Sequence, residues 1–141
     1  MGAIRKGVAG DMSIETTRDP QLDLTTHVVT GPVREEEMYL ALEGRGEEDQ
    51  TALVLWDMSE AEVSHVTAGI LRRFIKRAAE LGKAREGGRT AVVAPNNLAY
   101  GLARMSEAFT ELVASPFSFK AFRTQPEALT WLRSENPDNV T

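Results

Sequence analysis

The stretch Ala52-Leu53-Val54-Leu55-Trp56-Asp57 is a continuous apolar run that ends at a carboxylate. Such a run, bounded by polar residues, is typical of a strand buried on both faces of a parallel sheet. A second run of this kind, Thr90-Ala91-Val92-Val93-Ala94, ends at Pro95. Between the two runs, apolar residues recur at helical spacing: Val63, Val66, Ile70, Phe74 and Leu81. This periodicity predicts a long helix, from about Ser59 or Ser64 to Leu81, joining two parallel strands.

The segments on either side extend this alternation. Upstream, Met12–Thr17 and Leu22–Thr30 favour β structure around an Asp19-Pro20 turn, and a helix ending at Gly44 follows this hairpin. Downstream, Asn96-Asn97 opens a helix, Phe117–Phe122 alternates as a strand, and Gln125-Pro126 opens a last helix. The predicted order is therefore ββαβαβαβα. This order indicates a single α/β domain with a mixed, mostly parallel sheet and helices packed on it.

Length and composition limit the class of protein. The chain has 141 residues, no cysteine and a net charge of −5, which suits one domain and excludes disulfides and thiol chemistry. The acidic balance argues against a general nucleic-acid binder. No apolar stretch approaches the ~20 residues that span a bilayer, so we expect a soluble, cytoplasmic protein. We expect a mobile lead over residues 1–11, the domain over 12–133 and a tail over 134–141.

The usual signatures of enzymes are absent from the sequence. There is no glycine-rich nucleotide loop, no Gly-x-Ser-x-Gly elbow and no His-Glu-x-x-His motif. Asp57 lies near Ser59, Glu60, Glu62 and His65, but one histidine with scattered carboxylates specifies no metal geometry. The acidic first turn of a helix explains this cluster more simply. We therefore predict no catalytic residues, no cofactor and no metal.

The carboxyl ends of parallel strands meet at one edge of a sheet, where functional loops gather. The predicted loops at this edge cover residues 57–64, 95–97 and 123–126. The candidate contact or ligand surface comprises Asp57, Asn96, Asn97, Tyr100, Gly101 and Arg104. Tyr100 and Arg104 could hold an anion or a carboxylate of a partner. Alternatively, Arg104 simply pairs with Glu107 one turn away on a solvated face.

Two features of the helix after Asn97 bear on this surface. Its apolar residues form one stripe, which we expect to be the core face: Leu98, Leu102, Met105, Phe109 and Leu112. Gly101 is costly inside a helix, by ~1 kcal/mol relative to alanine. Close backbone packing or room for a ligand would explain this glycine.

Charge is segregated along the chain. Residues 34–62 hold ten acidic and two basic residues, a net charge of −8. Residues 72–89 hold seven basic and two acidic residues, a net charge of +5. The two sections are compatible with contacts to charged partners or with a symmetric homodimer. More often, such sections are solvated helix faces, which is the interpretation that we favour.

The segment from Ala94 to Met105, with its Tyr100-Gly101-Leu102-Ala103-Arg104-Met105 core, resembles the SpoIIAA-like, or STAS/CRAL-TRIO-type, family of small bacterial proteins. Leu53–Asp57 and the residues from Phe122 to Leu132 agree with this resemblance, which covers about residues 12–133. It implies a STAS-like mixed sheet covered by helices. Relatives of this type include anti-sigma-factor antagonists, which bind a kinase and are switched by phosphorylation, and lipid-binding modules with an apolar pocket.

The switchable antagonists carry an Asp-Ser-Ser-Gly motif at the start of the helix that follows this strand. This chain has His65-Val66-Thr67-Ala68-Gly69 instead, and the candidate phosphorylation sites are Ser59, Ser64 and Thr67. We therefore expect a non-enzymatic protein-interaction module that lacks the motif of the switch. The alternative is a carrier of a small apolar ligand or lipid, with a pocket between the sheet and the helices.

Overall fold

The computed structural model describes residues 3–5, 13–43 and 50–134, the first three by their backbone alone. The strands are β1 (Ala3–Arg5), β2 (Ile14–Asp19), β3 (Leu24–Pro32), β4 (Leu53–Glu62), β5 (Arg89–Val93) and β6 (Ser118–Phe122). The helices are α1 (Glu35–Glu43), α2 (Ala68–Leu81), α3 (Asn97–Leu112) and α4 (Gln125–Arg133), and a 3-10 turn spans Gly82–Arg85. From β2 onward, this order confirms the predicted ββαβαβαβα.

The strands form one mixed sheet in which spatial order equals chain order. The pairs β1–β2 and β2–β3 are antiparallel, whereas β3 to β6 are parallel. The α/β class and the mixed, mostly parallel sheet are therefore as predicted. No described helix has the length and apolar character needed to cross a membrane.

The two faces of the sheet carry separate cores. Trp56 and Val92 face α1, α2 and α3, where they pack with residues such as Phe74. Leu55 and Ala91, one residue along each strand, face α4 and pack against Trp131. Successive side chains of a strand point to opposite faces, so burial on both faces requires a continuous apolar run. Residues 53–56 of the apolar run lie in such a strand, covered by helices on both faces of the sheet.

The N-terminal segment departs from expectation. Residues 1–11 are predicted to be a mobile lead, but Ala3–Arg5 form β1, with Ala3 opposite Thr17 on β2. The outer edge of β2 offers unpaired backbone groups, and a third antiparallel strand satisfies them. The rest of the lead lies outside the described residues, as do residues 135–141 of the predicted tail.

The boundary between β4 and α2 is a correction to the sequence prediction. Residues 57–64 are predicted as a loop leading into a helix near Ser59 or Ser64. Instead, β4 continues to Glu62, and α2 begins at Ala68 with Thr67 as its N-cap. The cause lies in β3, which passes a β-bulge after Val28 and continues alongside β4 until Pro32 faces Glu62. These backbone bonds extend β4 beyond the apolar run that marks it in the sequence.

The orientation of α3 is a second correction. The buried residues of α3 are Ala99, Ala103, Ser106 and Thr110, not the predicted apolar stripe. Leu98, Met105 and Leu112 are instead 55%, 37% and 79% exposed. The buried set is the apolar stripe shifted by one residue along the helix, which turns the helix by ~100°. Small residues on this face let α3 lie close to the sheet and to α2.

Candidate functional site

A cluster centred on Tyr100 lies where β5 and β6 end and α3 and α4 begin. The guanidinium carbon of Arg123 lies 4.0 Å from the centre of the Tyr100 ring. Arg123 Nη1 also donates to the carbonyl of Pro95, at 3.0 Å, and to Asn97 Oδ1, at 2.8 Å. Arg123 therefore ties the loop after β6 to the loop after β5. Arg123 is not among the predicted contact residues, although residues 123–126 are predicted to lie at the same edge.

Arg104 approaches Tyr100 from the next turn of α3. Its Nη1 lies 3.5 Å from the Tyr100 hydroxyl, and its Nε lies 3.2 Å from Glu107 Oε1. The contact with Tyr100, and then the charge of Glu107, raise the pKa of Arg104 above its ordinary value. The predicted Arg104–Glu107 pair is thus present, and two exposed cations flank one half-buried aromatic ring.

The structure separates the remaining predicted contact residues from this cluster. Asn96 is the N-cap of α3, and its Oδ1 accepts a hydrogen bond from Ala99 N at 2.8 Å. Asp57 Oδ1 accepts from the backbone N and the hydroxyl of Ser59, at 3.0 and 2.6 Å. Asn97, Tyr100 and Arg104 are therefore brought together, whereas Asn96 and Asp57 serve local structure.

The three candidate phosphorylation sites are exposed. The hydroxyl of Ser59 contacts Asp57, and that of Thr67 caps α2 by accepting from Ile70 N at 3.2 Å. The backbone N of Ser64 donates to Glu62, and hydrogen bonds from Ser64 lower the pKa of the Glu62 carboxyl. Ser59 lies on β4 and not at a helix start, so only Thr67 takes the capping position. Phosphorylation at these sites stays a prediction.

Gly101 lies on the exposed side of α3, one turn after Asn97 and one turn before Arg104. A Cβ atom built on Gly101 would meet no other atom within 4 Å. Close backbone packing, one of the two explanations predicted for this glycine, is therefore wrong. Room for a ligand, the other explanation, stays a prediction.

We expect Gly101→Ala to raise the free energy of unfolding by about 0.5–1 kcal/mol, because alanine loses less backbone entropy in a helix. Urea unfolding followed by circular dichroism would measure this gain. Gly88→Ala is the opposite control, since its Cβ would lie 2.4 Å from the carbonyl oxygen of Ala52 and should destabilise the fold. A Gly101→Ala protein less stable than the parent would show that the backbone itself requires glycine there.

An exposed apolar strip runs along α3 beside the cluster. It consists of Leu98, Met105 and Leu112, and we call it the α3 strip. Leu102 and Phe109 border it on the core side, where the guanidinium of Arg72 lies 5.1 Å from the Phe109 ring centre. Arg104 borders it on the other side. One helix thus presents an apolar strip with a polar, cationic margin.

Two partly open cavities between the sheet and its three-helix face are lined by described residues. One has a volume of about 80 Å³, and the other, mainly apolar, has a volume of about 70 Å³. Pockets for drug-sized ligands measure ~300–1,000 Å³. Neither cavity therefore has room for a lipid chain as the protein stands.

Two ion pairs join the acidic and the basic sections within the chain. Arg73 of α2 contacts Glu35 of α1 at 3.2 Å, and Arg77 contacts Glu43 at 2.8 Å. The acidic helix α1 therefore lies beside the basic face of α2. These contacts use charges that the alternative interpretation assigned to a partner or to a second copy.

In the described part of the chain, no three or more histidine, aspartate or glutamate side chains gather closely enough to hold a metal ion. No protein-family model, curated protein or solved structure matches this chain.

Proposed function

We propose that this chain is a non-enzymatic, STAS-like protein-interaction module that resembles the anti-sigma-factor antagonists of the SpoIIAA-like family. Its contact surface is the α3 strip together with Tyr100, Arg104 and Arg123. The observation that carries the proposal is the exposure of Leu98 and Leu112 on the helix that also carries Tyr100 and Arg104. We also propose that the protein acts in the cytoplasm and uses neither a cofactor nor a metal ion.

The composition of this surface supports protein contact. Interfaces combine an apolar centre with a polar margin, and they are enriched in tyrosine, methionine and arginine. The α3 strip supplies the apolar centre through Leu98, Met105 and Leu112. Tyr100 and Arg104 supply a margin that can pair with carboxylates. Exposed apolar side chains aligned along one helix of a small domain also favour a binding role.

The charged residues beside the α3 strip indicate which kind of partner surface would bind. The chain is acidic overall, yet Arg104 and Arg123 are both exposed at this edge. The nearby carboxylate of Glu107 is engaged by Arg104 and by the backbone N of Ala121 on β6. The partner surface should therefore carry apolar side chains flanked by aspartate or glutamate.

Phosphorylation would act on this module through α2. Thr67 caps that helix, and a phosphate there would add about −1.5 to −2 charges at a helix N-terminus, which favours negative charge. The Asp-Ser-Ser-Gly motif is absent, so the simpler proposal is that the module binds its partner without being regulated by phosphorylation. A carrier of apolar ligands needs a larger cavity than the two observed, and no observation favours it.

We expect Arg104→Glu to abolish partner binding and to leave the melting temperature nearly unchanged, because Arg104 is exposed and its bonds to described residues stay within α3. A photo-crosslinking amino acid at Leu112 would capture the partner in the native cells. Mass spectrometry would identify the captured protein, and light scattering would show whether a second copy is the partner. Arg133→Glu, an equal charge reversal on the exposed side of α4, is the matched control.

The expected result is a discrete crosslinked species that Arg104→Glu removes and Arg133→Glu retains. Equal crosslinking in both variants would contradict the role of the Tyr100 cluster. A large fall in the melting temperature of Arg104→Glu would instead make this arginine structural.

A further inference from the structure

The larger cavity lies at the amino ends of β4 and β5, away from the Tyr100 cluster. Its walls are aromatic on one side, through Trp56, Phe74, Phe117 and Phe119. Its polar lining comprises Thr25, His27, Gln50, Thr51, Arg85 and Thr90. Most of the lining is apolar, and six of its seventeen residues are polar, which is the ordinary composition of a small-molecule site.

Two polar atoms of this lining are buried without a hydrogen-bond partner in the described structure. They are the hydroxyl oxygen of Thr90, a residue only 3% exposed, and Gln50 Oε1. The amide nitrogen of Gln50 donates to Leu81 O at 3.1 Å, which fixes the orientation of the side chain. Buried polar groups are nearly always hydrogen-bonded, so these two atoms call for a partner inside the cavity.

Arg85 is the charged member of the lining. Its Nε donates to Thr51 O at 2.8 Å, and its Nη2 donates to Ala52 O and Arg89 O, at 3.1 and 3.0 Å. Its guanidinium carbon lies 4.6 Å from the centre of the Phe117 ring. Nη1 makes no hydrogen bond to a described residue. One fork of the guanidinium is therefore available to an anion.

The electrostatics of Arg85 agree with this geometry. Burial lowers the pKa of Arg85 to about 10, and the charge of Asp23 opposes that shift. The carbonyl oxygens that hold Arg85 are dipoles and carry no net charge. In the described part of the chain, no carboxylate forms an ion pair with it. A bound anion would offset the desolvation of the cation.

The other polar residues of the lining have partners already. The hydroxyls of Thr25 and Thr51 lie 2.7 Å apart, and Thr51 also donates to Leu53 O. His27 Nδ1 lies 2.9 Å from the Thr16 hydroxyl, and its ring stacks on Trp56 at 4.2 Å. Recognition therefore rests on Arg85, Gln50 and Thr90.

We propose that this cavity binds a small carboxylic acid that carries a hydroxyl or amino group. The carboxylate lies at Arg85, the hydroxyl or amino group donates to Gln50 Oε1, and the Thr90 hydroxyl donates to the ligand. Benzene fills a cavity of ~150 Å³, so about 80 Å³ limits the ligand to about three to five non-hydrogen atoms. Glycolate has this size and both functional groups.

The test is a titration of the full chain with glycolate, followed by backbone and side-chain amide NMR. We expect saturable shifts at Gln50 and Thr90 and a raised melting temperature. Acetate, which lacks the hydroxyl, should bind more weakly, and glycolamide, which lacks the charge, should not bind. Absence of saturable shifts with glycolate, or shifts confined to other surfaces, would overturn the proposal.

Thr90→Val tests the proposal without touching the bonds of Arg85. Valine keeps the shape and removes the hydroxyl, so binding of glycolate should weaken roughly tenfold. The unliganded protein should be as stable as the parent or more stable, because an unpaired buried hydroxyl is lost. Thr130→Val, at an exposed position of α4, should change neither property. A less stable Thr90→Val protein with an unchanged glycolate response would overturn the role given to Thr90, because its hydroxyl would then bond to water and not to the ligand.

Discussion

Trp131→Ala is expected to lower the free energy of unfolding by about 3–5 kcal/mol, which is the range for removing a buried aromatic side chain. Trp131 is 3% exposed and lies 5.7 Å from Phe122, measured between ring centres. It belongs to the core between α4 and the sheet, with Leu55 and Ala91. Among the described elements, α4 alone covers this face, so no second helix compensates for the loss.

Urea unfolding monitored by far-ultraviolet circular dichroism would measure this effect without relying on the deleted indole. Arg133→Ala, on the exposed side of the same helix, serves as the control for helix propensity and should be nearly neutral. A loss below about 1.5 kcal/mol for Trp131→Ala would mean that α4 packs loosely and that the second core contributes little.

Arg85→Met is expected to destabilise the fold by about 2–4 kcal/mol. The change removes three hydrogen bonds from a charged donor to the carbonyls of Thr51, Ala52 and Arg89. Each such bond contributes roughly 1.5–3 kcal/mol, and the desolvation that the cation no longer suffers offsets part of the sum. The loss should be greatest at the amino ends of β4 and β5, which these bonds hold together.

Hydrogen exchange of the backbone amides around Leu53 and Arg89 would locate the loss, and urea unfolding would give its size. Lys83→Met, in the same 3-10 turn but exposed, provides a matched control for charge and side-chain length. If Arg85→Met were as stable as Lys83→Met, the three carbonyls would have other donors and Arg85 would be free for ligand binding alone.

Local patterns were sufficient to predict the element order. The apolar runs at residues 52–56 and 90–94 are buried on two faces, and only a covered parallel sheet accommodates such runs. The cap of α3 is local as well: Asn96 starts this helix as expected, since cap bonds involve residues within one turn.

The face of α3 could not be predicted in this way. The residues Leu98, Met105 and Phe109 and the residues Ala99, Ser106 and Thr110 share the same spacing, one residue out of phase. Periodicity alone therefore allows two orientations, and hydrophobicity favoured the wrong one. The close approach of α3 to the sheet requires small side chains, and that distance is a property of the packed layers.

Some contacts of the candidate site could be predicted from the sequence, and others could not. Tyr100 and Arg104 lie one turn apart on one helix, so their proximity is local and was expected. Arg123 reaches Tyr100 from the loop after another strand, and no sequence spacing indicates that contact. The cavity near Arg85 and Thr90 likewise joins residues from several strands, and its unpaired atoms become visible only once those strands are packed.

The sequence by itself determined the alternation of strands and helices, the double-sided burial of β4 and β5 and the Asn96 cap of α3, because each depends on residues close in the chain. The tertiary structure decided the length of β4, the face that α3 buries, the pairing of α1 charges with α2 and the contact of Arg123 with Tyr100. Those features depend on backbone bonds and packing distances between segments far apart in sequence, which no local pattern encodes.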